Sequence, residues 1–290
     1  MPTSGKNIRK LLAAGWQTLE AGGVPNARRN AEWLLMSVIG GTILDLVVHS
    51  EQPLPAEEEA RYLSLIERRA AREPLQYIVG DTAFMSFPFK IEPGVFIPRP
   101  DTERLVEVTQ RLLAEGDGPG RILDLCCGAG VIAISLAAAF PDARIVGVDS
   151  NSQAVRLAEG NAALNAVAAR TEFVQAAAAD FAVAEADRFD AVVCNPPYIP
   201  SGEIDALPPE VKDHEPIDAL DGGREGLDFY RSTIPRLRTW LQPGGWAAFE
   251  IGAGQTLPVS SLLNAAGFKQ LETHRDYRQL DRVVAGRLPC

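Results

Sequence analysis

From Arg121 onward, short β-branched runs alternate with apolar patterns of helical spacing. This alternation is typical of a parallel sheet whose strands are joined by crossover helices. The candidate strands are Arg121 to Leu125, Arg144 to Val148, Glu172 to Val174, Ala191 to Cys194 and Trp246 to Ile251. The candidate helices are Thr102 to Leu113, Val131 to Ala139, Ser152 to Leu164, Leu227 to Leu241 and Gln255 to Ala266. The runs Lys269 to His274 and Asp281 to Leu288 have no long helix between them, which predicts an antiparallel hairpin at the end of the sheet.

The N-terminal part of the chain has a different pattern. Apolar residues recur at helical spacing from Ile8 to about Arg72, and glycine pairs and prolines interrupt them. This pattern predicts a small domain of four or five helices over residues 1–76. Residues 77–93 lack helical periodicity and predict an extended or hairpin linker. The sheet domain is then expected over residues 94–290.

Composition narrows the class of protein. The chain has 290 residues, of which 46% are hydrophobic and 23% charged, and these are ordinary globular values. No apolar run approaches the roughly 18 residues of a membrane span. Gln17 and Glu20 interrupt the N-terminal apolar stretch too early for a signal peptide, so a cytoplasmic location is expected. Four cysteines without a Cys-x-x-Cys pair and three histidines suggest neither a disulfide framework nor a metal site.

The charge is unevenly distributed. The formal net charge is −10, yet residues 1–80 hold nine of the 28 Lys and Arg and nine of the 38 Asp and Glu. The whole acidic excess therefore lies in residues 81–290. An acidic surface repels phosphate backbones, so a basic protein partner or a small ligand is expected rather than nucleic acid. No membrane partner is expected either, and the chain is expected to be a monomer.

A glycine-rich turn follows the first strand of the sheet domain. The strand runs into Cys126-Cys127-Gly128-Ala129-Gly130 and then into a helix. Glycines let a ligand approach the backbone, and the exposed N–H groups of the helix can bond a carboxylate or phosphate. About twenty residues later, Asp149 ends the next strand, where a carboxylate can accept both hydroxyls of a ribose. Together these features predict a site for an adenosine-containing ligand.

Other interpretations of this region stay open. Gly128, Gly130 and Ala133 also satisfy the loose dinucleotide fingerprint, so the turn alone does not exclude a dehydrogenase. The glycines could serve packing only, with Asp149 capping the helix that begins near Ser152. Similarly, Asp180-Phe181 after the third strand could cap a turn or could hold and cover an adenine edge.

Asn195-Pro196-Pro197-Tyr198 follows the fourth strand at the carboxyl edge of the sheet. A planar NH2 group offers two donors, and the Asn195 side-chain oxygen and the Pro196 carbonyl can accept one each. Holding both hydrogens directs the nitrogen lone pair at a neighbouring electrophile, and Tyr198 supplies a flat face. With the upstream turn, this tetrapeptide predicts methyl transfer from S-adenosylmethionine to a planar nitrogen without a strong base. The alternative is a simple strand-ending turn.

Two further segments carry a family resemblance. Residues 73–80, EPLQYIVG, resemble the junction motif of the bacterial peptide chain release factor glutamine methyltransferases, the PrmC or HemK group, and residues 94–103, GVFIPRPDTE, resemble their signature loop. The segment beginning at His214-Glu215-Pro216 is also similar, and the resemblance extends over nearly the whole chain. It implies a Rossmann-like class I methyltransferase domain, with a seven-stranded, mostly parallel sheet and a terminal antiparallel hairpin, preceded by a small helical domain.

The resemblance also implies an activity, which is methylation of the glutamine in the Gly-Gly-Gln motif of release factors in support of translation termination. The implied cofactor is S-adenosylmethionine, with S-adenosylhomocysteine as the product. Its contacts would come from Cys126, Cys127, Gly128, Ala129, Gly130, Asp149, Asp180, Phe181 and Asn195. The glutamine would be held by Asn195, Pro196, Pro197 and Tyr198, and the helical domain would dock the release factor.

The signature loop adds Arg99, Thr102 and Glu103 as candidate substrate-binding residues. Alternatively, its prolines form only a rigid entry to a helix capped by Asp101 or Thr102, and Arg99 and Glu103 form an ordinary surface pair. The turn departs from the family pattern at Cys126, where glycine is usual, so this side chain is expected to point away from the cofactor. His214 is expected to be structural, since the chemistry needs no base.

Two rival functions remain at this stage. An adenine-N6 methyltransferase acting on DNA or RNA would use the same tetrapeptide on a flipped base, but it should have a basic groove. A catalytically inactive adaptor that binds S-adenosylmethionine would need neither Asn195 nor Tyr198. The acidic excess disfavours the first, and the intact tetrapeptide disfavours the second.

Overall fold

The computed structural model describes residues 6–114 and 118–290, and these fall into two compact units. The helical unit consists of the residues up to Gly80 together with Pro208–His214. The sheet unit consists of Asp81–Leu207 and Glu215–Cys290. The helical unit therefore draws on two stretches of the chain that are far apart in sequence.

Residues 6–80 of the helical unit form five α-helices, as the apolar periodicity predicts. They are α1 (Ile8–Ala21), α2 (Ala27–Ile39), α3 (Ile43–Val48), α4 (Ala56–Ala70) and α5 (Leu75–Val79). Asn7 caps α1 by accepting a hydrogen bond from the backbone N–H of Lys10. Thr42 and Asp45 form a capping box at the start of α3. The buried side chains of this unit include Leu11, Leu19, Leu34, Leu35 and Tyr62.

The sheet unit contains a hairpin and a seven-stranded sheet. The hairpin strands are β1 (Asp81–Phe84) and β2 (Phe87–Lys90). The sheet strands are β3 (Arg121–Leu125), β4 (Arg144–Asp149), β5 (Thr171–Gln175), β6 (Phe189–Cys194), β7 (Leu241–Glu250), β8 (Lys269–Arg275) and β9 (Asp281–Arg287). The helices are α6 (Glu103–Leu113), α7 (Val131–Ala139), α8 (Ser152–Leu164), α10 (Asp228–Thr233), α11 (Leu237–Trp240) and α12 (Thr256–Ala265), while α9 (Pro209–Lys212) belongs to the helical unit.

The strand order of the sheet is β5-β4-β3-β6-β7-β9-β8. The five strands from β5 to β7 pair in parallel, and β9 pairs antiparallel with both β7 and β8. The predicted parallel sheet and its terminal antiparallel hairpin are both confirmed. The chain moves outward from β3 to β5 and then returns to the other side of β3 with β6. Open α/β sheets bind ligands at such a switch point, beyond the carboxyl ends of the two central strands.

The sheet separates two apolar clusters. Successive residues of a strand point to opposite faces, and accordingly Ile122 belongs to one cluster and Leu123 to the other. The first cluster includes Leu105 of α6, and the second includes Trp240 of α11. Within residues 6–114 and 118–290, no helix is both long and apolar enough to cross a bilayer.

Two predicted elements of the sheet domain differ from the structure. Leu227 to Leu241 is not one helix, because Pro235 has no N–H for the helical ladder and the chain forms a 3₁₀ turn at Ile234–Arg236 between α10 and α11. Strand β7 begins at Leu241 instead of Trp246, with an irregularity opposite Phe189 and Ala191.

The segment predicted as an extended or hairpin linker over residues 77–93 begins within a helix. Tyr77 lies in α5, which ends at Gly80 in the left-handed conformation (φ 82°). The rest forms the β1–β2 hairpin, and Asn161 of α8 fixes it to the sheet unit. The Asn161 side chain accepts a hydrogen bond from the Lys90 N–H at 2.8 Å and donates one to the Lys90 carbonyl at 3.1 Å.

Candidate active site

The glycine-rich turn lies at the carboxyl end of β3. Cys126, Gly128 and Gly130 all have positive φ, at 58°, 52° and 81°. A Cβ at Gly128 would meet no described atom within 4 Å, so the turn leaves open space there, whereas a Cβ at Gly130 would lie 3.0 Å from Ala158 of α8. Gly128 is therefore the position where a ligand can approach the backbone, and Gly130 serves helix packing.

Cys126 adopts the left-handed conformation without being glycine. Its side chain packs against the apolar cluster that contains Leu125 and Cys194. All four cysteines are free. The Cys126 side chain is thus turned toward this apolar cluster.

Asp149 braces the turn from the end of β4. Its Oδ2 accepts a hydrogen bond from the Gly128 N–H at 2.9 Å, and its Oδ1 accepts one from the Asn151 N–H at 2.9 Å. Burial raises the pKa of Asp149, while these two hydrogen bonds lower it. Asn151, not Asp149, caps α8 by accepting from the N–H groups of Gln153 and Ala154. The interpretation of Asp149 as the cap of α8 is therefore wrong.

Asp124 is a functional candidate that the sequence reasoning missed. It lies in β3, is fully buried, and its Oδ2 accepts a hydrogen bond from the N–H of Ala133 in α7 at 3.0 Å. Its Oδ1 has no partner among the described residues. Burial raises the pKa of Asp124 well above its usual value. A carboxylate inside an otherwise apolar strand was the signal that could have identified it.

Asn195 follows β6, whose last residue Cys194 pairs with Leu125 at the end of β3. The tetrapeptide and the glycine turn therefore begin at neighbouring strand ends. The Asn195 Nδ2 donates a hydrogen bond to the buried Thr102 Oγ1 at 3.1 Å. This bond occupies the NH2 end of the side chain and leaves Oδ1 as an acceptor.

Tyr198 is fixed at both ends. Its hydroxyl donates to Oε1 of Glu250, the last residue of β7, at 3.0 Å. Its carbonyl accepts from the Gln255 Nε2 at 2.9 Å, and the same Nε2 donates to the Gly226 carbonyl at 3.0 Å. A Cβ at Gly226 would lie 2.2 Å from the Tyr198 carbonyl oxygen, so only glycine fits there. The ring of Tyr198 is thus held in one place by residues from three separate segments.

The signature loop is held by Glu215, a second residue that sequence reasoning did not place in the site. The Glu215 carboxylate accepts from the backbone N–H of Ile97 at 3.1 Å and pairs with the Arg99 guanidinium. Burial raises the pKa of Glu215, and Arg99 opposes that effect. The Arg99 guanidinium also stacks over the Phe96 ring at 4.8 Å. Arg99 is therefore committed to the loop rather than to an exposed pair with Glu103.

The other loop residues have separate partners. Glu103 accepts from the Met85 N–H at 2.6 Å, which fixes the turn of the β1–β2 hairpin. Asp101 accepts from the Arg278 Nη2 at 2.6 Å. Neither Asp101 nor Thr102 makes a side-chain cap at the start of α6, so the capping interpretation of this loop is wrong.

Asp180 and Phe181 follow β5. Asp180 is exposed, whereas the Phe181 ring is buried and lies 6.3 Å from the Trp240 ring. The Phe181 carbonyl accepts from the Trp240 Nε1 at 3.2 Å. Trp240, which directly precedes β7, therefore fixes the position of this segment.

A parallel sheet with a glycine turn, a strand-end acid and Asn-Pro-Pro-Tyr at its switch point defines a methyltransferase of the Rossmann-like class. Consistent with this, residues 87–206 match the family model described as the methyltransferase small domain, and residues 10–80 match the PrmC N-terminal domain. The catalytic domain of hMettl16, solved in complex with the MAT2A 3'UTR hairpin 6, is similar with a TM-score of 0.55 and 17% identity, covering 80% of this chain and 81% of that one. That similarity concerns the fold alone.

Relatives extend the match over nearly the whole chain. The release factor glutamine methyltransferase of Geobacter sulfurreducens is 42% identical over 281 residues, which are 97% of this chain and 96% of the relative. The protein of the same name from Thermodesulfovibrio yellowstonii is 37% identical over 258 residues, which are 88% and 91% of the two chains. The chain therefore belongs to the release factor glutamine methyltransferase family.

Proposed function

We propose that this chain transfers the methyl group of S-adenosylmethionine to the side-chain amide nitrogen of the glutamine in the Gly-Gly-Gln motif of peptide chain release factors, in support of translation termination. The hydrogen bond from Asn195 to Thr102 carries the proposal, because it leaves the Asn195 Oδ1 as an acceptor at the switch point. A substrate amide has two N–H donors, which this oxygen and the Pro196 carbonyl would accept. The identity of the substrate, a glutamine of a release factor, is taken from the names of the relatives.

The residues at the switch point fit S-adenosylmethionine. Gly128 leaves open space over the turn, and the Asp149 carboxylate suits the ribose hydroxyls. Asp124, in the strand that leads into the turn, keeps an Oδ1 without a partner among the described residues, and a bound ligand would supply that partner. The proposed contacts are Cys126, Cys127, Gly128, Ala129, Gly130, Asp149, Asp180, Phe181 and Asn195. When bound, the cofactor supplies an electrophilic methyl group.

On the substrate side, the protein orients one nitrogen. The Asn195 and Pro196 oxygens would hold both amide hydrogens, so that the nitrogen lone pair faces the methyl group. The ring of Tyr198, held by Glu250, would cover the flat amide, and Pro197 would stiffen the tetrapeptide. Arg99, Thr102 and Glu103 are proposed to line the substrate side. No strong base is needed, because an amide nitrogen becomes acidic once it is alkylated.

We assign the two units separate roles. The helical unit would dock the release factor, and the sheet unit would carry out the transfer. The acidic excess of residues 81–290 favours a basic protein over nucleic acid as the partner. We propose that the chain works in the cytoplasm as a monomer. Sedimentation of the purified protein, alone and with a release factor, would measure its oligomeric state.

The decisive experiment is transfer of labelled methyl from S-adenosylmethionine to a purified release factor. A Gly-Gly-Gln to Gly-Gly-Ala variant of that factor and a duplex DNA serve as parallel substrates. Label on the wild-type factor alone is the expected result. Label on DNA would favour the adenine-N6 methyltransferase, and cofactor binding without transfer to any substrate would favour an inactive adaptor.

A further inference from the structure

Glu215 is a buried carboxylate that the proposed reaction leaves without a role of its own. Its side chain is 1% exposed. Its Oε2 accepts from the Ile97 N–H at 3.1 Å, and its Oε1 pairs with the Arg99 guanidinium. A buried carboxylate is costly unless such partners compensate it. One side chain therefore fixes the signature loop at two of its residues.

The part of the loop that Glu215 holds has little conformational freedom. Pro98 and Pro100 flank Arg99, and each proline restricts its own backbone and that of the residue before it. The Arg99 guanidinium also stacks over the Phe96 ring at 4.8 Å. This stretch is therefore stiff, and the buried carboxylate sets its position.

Hydrogen bonds lead from this stretch to Asn195. The Arg99 carbonyl accepts from the Thr102 N–H at 3.1 Å, across the 3₁₀ turn Pro100–Thr102. The buried Thr102 Oγ1 in turn accepts from the Asn195 Nδ2 at 3.1 Å. The backbone of Thr102 is thus placed by Arg99, and its side chain places the Asn195 amide.

We infer that Glu215 is a positioning residue, which fixes the orientation of the Asn195 amide through the backbone of the signature loop and the Thr102 hydroxyl. Without the carboxylate, the turn is free to shift and the hydroxyl moves away from the Asn195 Nδ2. The Oδ1 is then no longer held toward the substrate amide. A small displacement of a group that orients the reacting atoms lowers turnover strongly. This inference rests on the proposed function, since it names what holds the acceptor of that reaction in place.

The test compares kinetics in Glu215→Gln, Thr102→Val and the double variant, with release factor as substrate. Glu215→Gln keeps the size of the side chain and one acceptor oxygen, but it presents an NH2 donor where a second acceptor is needed. We expect kcat to fall about tenfold or more in each single variant, and to change more than KM does. The double variant should be no slower than the slower single one, because both changes act through the same hydroxyl. A raised KM with a normal kcat in Glu215→Gln would overturn the inference, because Glu215 would then serve only the binding surface.

Asp190→Asn is the matched control. The Asp190 Oδ2 accepts from the N–H groups of Gly120 and Arg121 at 2.7 and 2.8 Å, near the amino end of β6, whereas Asn195 follows its carboxyl end. The control thus alters a carboxylate that also accepts from the backbone, but one with no path to Asn195. We expect its kcat to be nearly normal even where its Tm falls as far as that of Glu215→Gln. Equal losses of kcat in the two variants would show that lost stability explains the effect and would reject the inference.

A second measurement needs no release factor. The side-chain NH2 resonances of Asn195, assigned by their loss in Asn195→Asp, report whether the Nδ2 donates to Thr102. In Glu215→Gln they should move toward their positions in Thr102→Val, and in Asp190→Asn they should stay in place. Unchanged resonances in Glu215→Gln, or losses of kcat that multiply in the double variant, would contradict the inference. Absence of methyl transfer by the wild-type protein would instead reject the proposed substrate, and the resonances would still decide on Glu215.

Discussion

A single hydroxyl, that of Thr102, orients the amide of the Asn195 side chain. The two ends of an amide are alike in size, but one donates and the other accepts. Thr102 accepts from the Nδ2 at 3.1 Å, so the acceptor end points away from it. In the proposed reaction, the specificity for an NH2 group would follow from this one hydrogen bond.

Replacing Asn195 and Asp149 should separate chemistry from cofactor binding. Asn195→Ala removes the proposed acceptor of the reacting NH2, so methyl transfer should fall about 100-fold or more while the Kd for S-adenosylmethionine stays within about threefold. Asp149→Ala removes the acceptor for the Gly128 N–H and the proposed partner of the ribose, so the Kd should rise about tenfold or more. Calorimetric titration and single-turnover rates distinguish the two. Equal losses of affinity and rate in Asn195→Ala would contradict the assignment, as would normal affinity in Asp149→Ala.

Glu250→Gln should stabilise the folded protein at alkaline pH. On folding, the pKa of Glu250 rises from 4.5 to about 7, so the folded chain holds its proton more tightly than the unfolded chain. The ionised form therefore costs on the order of 3 kcal/mol of folding free energy above pH 7, and this cost disappears below about pH 4.5. The variant should thus gain stability over wild type at pH 8.5 and little at pH 4.5. Thermal unfolding at both pH values measures this, and an equal difference at the two would argue against it.

At the scale of elements, the position of Tyr198 depends on the close approach of two backbone segments. The segment around Gly226 reaches the tetrapeptide so closely that its carbonyl and that of Tyr198 share the Gln255 amide. Gly226 has a φ of 70°. Glycine at this position permits both the conformation and the contact.

Gly226→Ala and Gly254→Ala form a matched pair. Both glycines have positive φ, at 70° and 81°, so alanine costs each about 1 kcal/mol of strain. Only at Gly226 would the added Cβ meet the Tyr198 carbonyl, at 2.2 Å, whereas at Gly254 it meets no described atom within 4 Å. We expect a drop in kcat of tenfold or more for Gly226→Ala and a nearly normal kcat for Gly254→Ala. Steady-state assays of both variants test this, and equal effects would mean that strain alone matters.

Another prediction concerns the stability that the short helix α9 gives to the helical unit. Glu210 accepts hydrogen bonds from the buried Arg69 at 2.7 Å and from Arg72 at 2.6 Å. Burial alone would raise the pKa of Glu210, but these two arginines lower it to about 2. Glu210→Gln should therefore destabilise the helical unit by on the order of 2 kcal/mol near neutral pH. The stabilisation by wild-type Glu210 should be present above about pH 4.5 and be lost as the pH falls toward 2.

Denaturant unfolding of Glu210→Gln tests this prediction. The control is Glu51→Gln, which breaks the exposed pair with Arg9 in the same unit and should cost under about 1 kcal/mol. If the two variants lost the same free energy of unfolding, burial of Arg69 would not make its pair with Glu210 more stabilising than an exposed pair.

The sequence predicted regular elements better than their interruptions. Strands β3 to β6 and helices α7 and α8 lie where periodicity places them, because each buries a continuous apolar face. The region from Leu227 to Leu241 looked like one helix, since its apolar spacing continues across Pro235. Of the site, local motifs identified Asn195, Tyr198 and Asp149. Glu215 and Glu250 act on partners more than 50 residues away in the chain, and a single sequence does not show such contacts.

At the scale of the whole molecule, charge is segregated along the chain. The acidic excess lies entirely in residues 81–290, whereas residues 1–80 are balanced. Long-range attraction to a basic partner would accelerate encounter without contributing to chemistry. The charge pattern should therefore affect binding of the substrate and not turnover.

Salt should separate these two quantities. We expect the KM for release factor to rise severalfold between about 0.05 M and about 0.3 M salt, because surface charges are then screened. The kcat should stay nearly constant, because salt screens interactions between buried or closely spaced groups much less than those between distant surface charges. Steady-state kinetics over this range provide the measurement. A KM independent of salt would rule out electrostatic recruitment.

The helical unit contains Pro208–His214, so its architecture is not encoded by the N-terminal residues alone. A fragment that ends at Gly80 would leave the buried guanidinium of Arg69 without the carboxylate of Glu210. Exchanging N-terminal domains between relatives to alter substrate choice would meet the same difficulty. A working chimera has to take α9 from the same parent as the N-terminal helices, because Arg69 and Arg72 pair with Glu210 of α9. A relative in which one of these three residues is replaced should therefore show replacements at the others as well.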